Sequence, residues 1–280
     1  MKTRFVGVIG LVSCVAAWAG GVSTPKVGMV RYSDGAVYSL YGLHANFLTG
    51  ERAFSLVQAA SFSDEGGLIS TRGRIMLLGP DGSVQGAFMA GEQNPVLNMD
   101  GSVSSAIGWL PRSSELFTWT GGQPAMTPVN PGELGGQVVA LRMVGTNAAE
   151  LLLTETDSSA ASVTISLLDG SVTNVTALSG VSGPVFQQQS FLLFHDWNGL
   201  EVQASNGSTR TLPITPGDLQ FERVGTDWVH ISSPSAQRDW VLHLNATTLQ
   251  LSELPAPEPN SPLSKPMTPP AHPRAMRVAE

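Results

Sequence analysis

His230 and His243 stand on either side of a turn-forming stretch at residues 233–238, so a hairpin there would carry them on facing strands. Two imidazoles on one face begin a metal site, but such a site needs three or four ligands and an ordered surround. No Asp or Glu is placed to supply the third ligand. Both are therefore expected to be structural histidines, and no metal or other cofactor is expected. His195-Asp196 is the second candidate, since an imidazole beside a carboxylate can begin an acid–base pair. Neighbouring residues on a strand point to opposite faces, which keeps these two apart. Asp196-Trp197-Asn198-Gly199 reads instead as an Asn-Gly hairpin turn with an exposed Trp, a stacking platform for a sugar or a peptide.

Motifs that would name a reaction are missing. There is no Gly-x-Ser-x-Gly elbow, which removes the α/β-hydrolases. Residues 27–254 contain nine arginines, twenty acidic residues and no lysine. That excludes a Walker lysine, a Schiff-base lysine and a polybasic membrane patch, and leaves no electrostatic footprint for nucleic acid. The single cysteine, Cys14, lies outside this body, so the body has no disulfide, thiolate metal site or cysteine nucleophile. Paired carboxylates of the kind that hydrolyse glycosides meet only in space, and the sequence leaves them open.

The elements that would position these residues are strands. Only 13% of the chain is charged and glycine is abundant, a composition of short strands and tight turns. The clearest stretch is residues 138–178, with four apolar-rich runs separated by turn residues. Within it Val163, Ile165 and Leu167 alternate with Thr164 and Ser166, the two-residue period of a half-buried strand. Asp169-Gly170 then makes a hairpin turn, because that pair tolerates the required positive φ. Four strands in about 40 residues is the size of one propeller blade. Similar groups begin near residues 58, 96, 185 and 220, and a shorter one occupies residues 28–48. The short first group suggests that the N-terminal strand completes the last sheet, or the reverse. Asp-Gly-Ser-Val recurs at residues 81–84, 100–103 and 169–172, with looser versions at 34–37 and 206–208.

The fold expected is all-β: a single β-propeller of six blades, with seven blades or a β-sandwich as the alternatives. The pattern over residues 27–254 resembles exported bacterial β-propeller proteins in general. It matches no named repeat family. Gly121-Gly122 and Gly135-Gly136 resemble the kelch double glycine but are out of register with each other, there is no WD40-type Gly-His to Trp-Asp pairing, and the sialidase Asp-box is only approached at Asp64-Glu65-Gly66. The resemblance implies an architecture and no activity.

The ends read as processing and tail segments. Lys2 and Arg4, an apolar run at residues 5–16 and Ala17-Trp18-Ala19 have the anatomy of a secretory leader, residues 1–19, followed by a short linker at 20–26. Leu11-Val12-Ser13-Cys14 overlaps it as a lipobox, the alternative being a lipid anchor on Cys14. The apolar run is too short for a transmembrane span. Residues 255–280 hold eight prolines and are expected to be a disordered tail. The protein is accordingly expected outside the cytoplasm, periplasmic or extracellular. The function expected is a non-catalytic binding or scaffold module at the cell envelope, recognising protein or carbohydrate. A polysaccharide hydrolase or lyase with carboxylates at the propeller mouth is the alternative. In a propeller the inter-blade linkers and the loops between second and third strands share one mouth, which assigns Glu92, Arg112, Glu133, Asp157, Trp197, Asp218 and Arg238 to the candidate surface.

Overall fold

The computed structural model describes residues 25–256 apart from 44–45, 93, 100–105, 197, 215–216 and 246–247. The leader, Cys14, His44, the Asp-Gly-Ser-Val copy at 100–103, Trp197 and nearly all of the proline-rich tail lie outside the described residues. Among those described, every regular element is a strand except one 3-10 turn at Pro131–Glu133, and no helix is long and apolar enough to cross a membrane.

All strand pairs are antiparallel between neighbours in sequence. The first sheet holds β1 (Lys26–Arg31), β2 (Val37–Leu43) and β3 (Asn46–Phe54). The second holds β4 (Ala59–Ser63), β5 (Gly66–Thr71), β6 (Arg74–Leu78) and β7 (Val84–Met89). The third holds β8 (Val96–Met99), β9 (Ala106–Leu110), β10 (Glu115–Trp119) and β11 (Ala125–Pro128). A seven-stranded sheet follows: β12 (Gln137–Met143), β13 (Ala148–Thr154), β14 (Ser159–Ser166), β15 (Val172–Gln188), β16 (Phe191–Asp196), β17 (Gly199–Gln203) and β18 (Thr209–Leu212). The last sheet holds β19 (Gln220–Arg223), β20 (Trp228–Ser233), β21 (Arg238–Leu244) and β22 (Leu249–Glu253).

Two expectations are corrected here. The fourth and fifth strand groups do not form separate sheets. β15 is one strand of 17 residues whose first part pairs with β14 and whose last part pairs with β16, with register shifts where it changes partner. Nor, among the described residues, is the ring closed by strand exchange. β1 pairs with β2, the last sheet is four consecutive strands, and neither sheet borrows a described strand from the other.

Closure is made by side chains. On β9, Ile107 and Trp109 pack toward β13 and β14, while Ala106 and Leu110 pack toward the second sheet with Leu68 and Leu77. This is the two-residue period read as two buried faces, so each inner sheet is sandwiched between its neighbours. Comparable clusters join the first sheet to the second through Met29, Val37, Phe62 and Ile69, and the end of the seven-stranded sheet to the last through Leu193, Leu200, Val229 and Leu242. The cluster of Val30, Tyr32, Tyr38, Leu40, Val224, Val241 and Leu254 then joins the last sheet to the first. A chain of sheets packed face to face and returning on itself is propeller-like.

The leading strands β4, β8, β12, β19 and the end of β15 surround a central cavity of about 140 Å³, with Ala60, Asn98, Ala140, Phe186 and Glu222 in its wall. β4 and β19 pack directly side by side. The turns that follow them are tied by a 2.7 Å bond in which Thr226 Oγ1 donates to Asp64 Oδ2. The first sheet reaches this wall through Arg31, whose Nε donates to Glu222 Oε1 at 2.7 Å.

Candidate functional site

Two of the linkers between sheets are bonded to the turn between the second and third strands of the sheet that follows. Glu92, on the β7–β8 linker, accepts hydrogen bonds from the backbone N–H groups of Arg112 (2.8 Å) and Ser113 (3.2 Å) on the β9–β10 turn. Asp218, on the β18–β19 linker, accepts from the Ser235 N–H and the Ser233 hydroxyl, both at 2.9 Å, on the β20–β21 turn. Asp157 accepts from the Ser159 N–H at 2.8 Å within its own turn, and Glu133 accepts from Asn130 Nδ2 at 2.9 Å. Arg238 makes a two-pronged pair with Glu253, at 2.9 and 2.6 Å, and lies over the Trp240 ring. These carboxylates hold turns and linkers in place, and each is paired locally instead of with another acid. Trp197 lies outside the described residues.

The turn carboxylates titrate accordingly. Asp81, Asp157, Asp169 and Asp218 all sit below the ordinary value of 3.8. The leading causes are the hydroxyls of Ser83, Ser159, Ser166 and Ser235 respectively, all of which stabilise the charged form. A depressed folded-state value means that the unfolded chain takes up protons first. The stabilisation is complete above 3.8 and is lost as pH falls through the folded values. Asn206 already makes the same turn, accepting from the Ser208 N–H at 2.9 Å and its hydroxyl at 2.7 Å. Replacing Asp81, Asp157 and Asp169 by Asn is thus expected to flatten the acid limb of melting temperature against pH and leave the neutral plateau in place. An unchanged acid limb would refute the assignment.

The histidines are also engaged. Trp228 faces His243 and His230 faces Val241 across β20 and β21, so the two imidazoles share a face. His230 Nε2 lies 2.9 Å from Asp239 Oδ1, and His243 stacks on Trp228 with ring centroids 4.3 Å apart. Glu222 Oε2 stands 4.0 Å from His230 Nδ1, completing a buried polar row with Arg31 and Asp239 at the joint between last and first sheets. Burial, and then the charge of Asp239, hold the nearby Tyr32 phenol well above its usual range. Among the described residues no group of three or more His, Cys, Asp or Glu forms a metal cage. The Asp196 carboxylate accepts from the Asn198 and Gly199 N–H groups, so it secures its own turn and leaves His195 alone.

A further candidate, not announced by the sequence, lies at the opposite end, where the β15–β16 and β17–β18 turns meet. An open cleft of about 480 Å³ is lined by Arg142, Gln187, Gln189, Ser190, Gln203 and Ser205, with Leu192 and Ala204 as its apolar part. Arg142 is neutralised by Glu150, to which its Nε donates at 2.6 Å. With the Gln187 amide oriented to satisfy its surroundings, its oxygen accepts from both Arg142 terminal nitrogens at 3.2 Å. That turns the Gln187 NH₂ away from the guanidinium. Gln188, fully buried, donates to the carbonyls of Gly225, Thr226 and Trp228. Gln189 is held at φ +54° and is tied to Thr226 and Asp227. A non-glycine residue kept in the left-handed region by its neighbours marks a rigid, pre-organised turn. The signal in the sequence was the polar run Gln187-Gln188-Gln189-Ser190 between two apolar strands, which reads only as the end of a strand.

No family model matches the chain, and no curated protein does either. Solved structures are similar at low identity. PorZ of Porphyromonas gingivalis, described as an essential bacterial surface component of the type-IX secretion system, is 15% identical with a TM-score of 0.45, over 83% of this chain and 38% of that one. The WD40 domain of SCAP from fission yeast is 8% identical with a TM-score of 0.41, over 79% of this chain and 62% of that one. The Neurospora crassa Pan2 WD40 domain is 10% identical with a TM-score of 0.41, over 82% and 79%. This chain spans less than two thirds of the first two. None of them transfers a function to it.

Proposed function

We propose that the protein is a non-catalytic binding or scaffold module of the cell envelope, recognising protein or carbohydrate. The observation that carries this reading is the contrast between its two ends. At one end the carboxylates that an acid–base mechanism would need are committed to backbone N–H groups and hydroxyls. At the other, a pre-formed cleft displays uncharged amides and hydroxyls. The first arrangement suits a rigid frame, and the second suits recognition without chemistry.

The ring is read here as six-bladed, with β15 serving as the outer strand of one blade and the inner strand of the next. The successive packing clusters between strand groups support this count. Residues 1–19 are proposed as a secretory leader that delivers residues 27–254 to the periplasm or beyond, with residues 255–280 as a tail. N-terminal sequencing of the mature protein is expected to start at Gly20. A blocked start at Cys14 would replace this with the lipid-anchored form.

The purified chain, applied to a glycan array and to immobilised envelope proteins, is expected to give saturable binding while releasing no new reducing ends or unsaturated sugars. Release of either product would overturn the reading in favour of a polysaccharide hydrolase or lyase.

A further inference from the structure

We infer that the cleft formed by Arg142, Gln187, Gln189, Ser190, Gln203 and Ser205 is a subsite for a neutral saccharide. The inference rests on the binding-module reading and names its ligand class. Three observations lead to it. The first is charge. Glu150 holds the Arg142 guanidinium at 2.6 Å, and Ser162 Oγ donates to the same carboxylate at 2.6 Å, so the cation arrives already compensated. An anionic ligand would gain little there and would face the acidic balance of the whole body.

The second is the pattern of polar groups. The Gln187 NH₂ points away from Arg142, and the Gln203 carboxamide and the hydroxyls of Ser190 and Ser205 have no hydrogen-bond partner among the described residues. A carboxamide offers a donor and an acceptor side by side, and a hydroxyl offers both at one atom. Vicinal sugar hydroxyls present the same pairing. An extended peptide would also want pockets for alternate side chains, and Leu192 and Ala204 provide only a shallow apolar floor. The third is rigidity. The three carbonyl contacts of Gln188 and the left-handed backbone of Gln189 fix the turn before any ligand arrives, which lowers the ordering cost of binding. A cleft of about 480 Å³ has the size of an ordinary small-molecule site.

The test follows the glutamine side-chain NH₂ resonances of the full-length chain during titration with maltose, cellobiose and di-N-acetylchitobiose. At least one of these is expected to shift the Gln187 and Gln203 signals saturably at micromolar to millimolar concentration. Gln203→Ala is expected to weaken that binding at least tenfold, and Ser205→Ala, in an exposed turn, about threefold, both with an unchanged melting temperature. Failure of all three sugars to move these signals overturns the assignment, as does binding that Gln203→Ala and Ser205→Ala leave intact. An uncharged tetrapeptide amide that shifts them where sugars do not would reassign the cleft to peptide. If a sugar shifts only the Asn130 and Arg112 signals at the other end, the cleft assignment falls while the binding-module reading stands.

Discussion

Arg31→Ala is expected to lower the free energy of unfolding by about 3–5 kcal/mol. Arg31 and Glu222 are both largely buried, with side chains 13% and 12% exposed, and their closest nitrogen–oxygen contact is 2.6 Å. Truncating the arginine leaves the Glu222 carboxylate in the wall of the central cavity without its cation. What remains nearby is His230 at 4.0 Å and the cavity itself. The cost is the desolvation of an orphaned charge, which is larger than the net worth of the pair. The double replacement Arg31→Met with Glu222→Leu removes both charges and is expected to recover most of the loss. Equilibrium urea unfolding at neutral pH checks both values, with the slope against urea unchanged.

The same substitution tests how the ring is closed. With no strand exchanged between the first and last sheets among the described residues, the joint there rests on this polar row and on the apolar cluster around Val30, Tyr32, Tyr38 and Val241. Amides of β1 and β2 are therefore expected to exchange with solvent faster in Arg31→Ala, ahead of those in the second and third sheets. A loss below about 1 kcal/mol, the range of a solvent-exposed pair, would show that the apolar cluster closes the ring unaided.

How far the sequence is legible follows from the range of the interactions involved. β6 (Arg74–Leu78) and β8 (Val96–Met99) can be placed to the residue, because alternation and turn chemistry act within a few positions. β15 cannot. Ser179-Gly180 and the Ser-Gly-Pro stretch after it carry turn chemistry, and Gly180 does adopt φ +77°. The strand nevertheless runs through, because β14 claims one part of it and β16 the other. Arg31 and Glu222 are 191 positions apart, and no local pattern announces such a pair. The candidate surface divides in the same way. Propeller topology alone brings Glu92 to Arg112 and Asp218 to the 233–238 turn. That these carboxylates are spent on backbone N–H groups is a matter of rotamers, which topology does not specify. The cleft at the other end joins Arg142, Gln187 and Gln203, residues of three strands whose side chains meet only after the seven-stranded sheet has formed.

Gly170→Ala is expected to cost about 3 kcal/mol, whereas Gly82→Ala costs about 1 kcal/mol, although both replace the glycine of an Asp-Gly-Ser-Val turn. The two turns are alike locally. Asp81 accepts from the Ser83 N–H at 2.9 Å and its hydroxyl at 2.6 Å, and Asp169 accepts from the Ser171 N–H at 3.2 Å and its hydroxyl at 2.8 Å. The glycines have φ of +81° and +76°, so alanine carries the same left-handed penalty at either. What differs is the surroundings. A Cβ on Gly82 meets nothing within 4 Å, whereas a Cβ on Gly170 runs into the backbone carbonyl oxygen of Pro128. That turn lies against the end of β11, where Thr127 Oγ1 also donates to the Leu167 carbonyl at 3.0 Å. Relieving the clash means pulling the β14–β15 turn off the third sheet, and the Ile107, Trp109, Leu151 and Val163 cluster beneath it would loosen as well. Thermal unfolding of the two variants side by side decides the matter. Equal losses would mean that the turn is not seated on β11, and the face-to-face packing of the third and seven-stranded sheets would have to be redrawn.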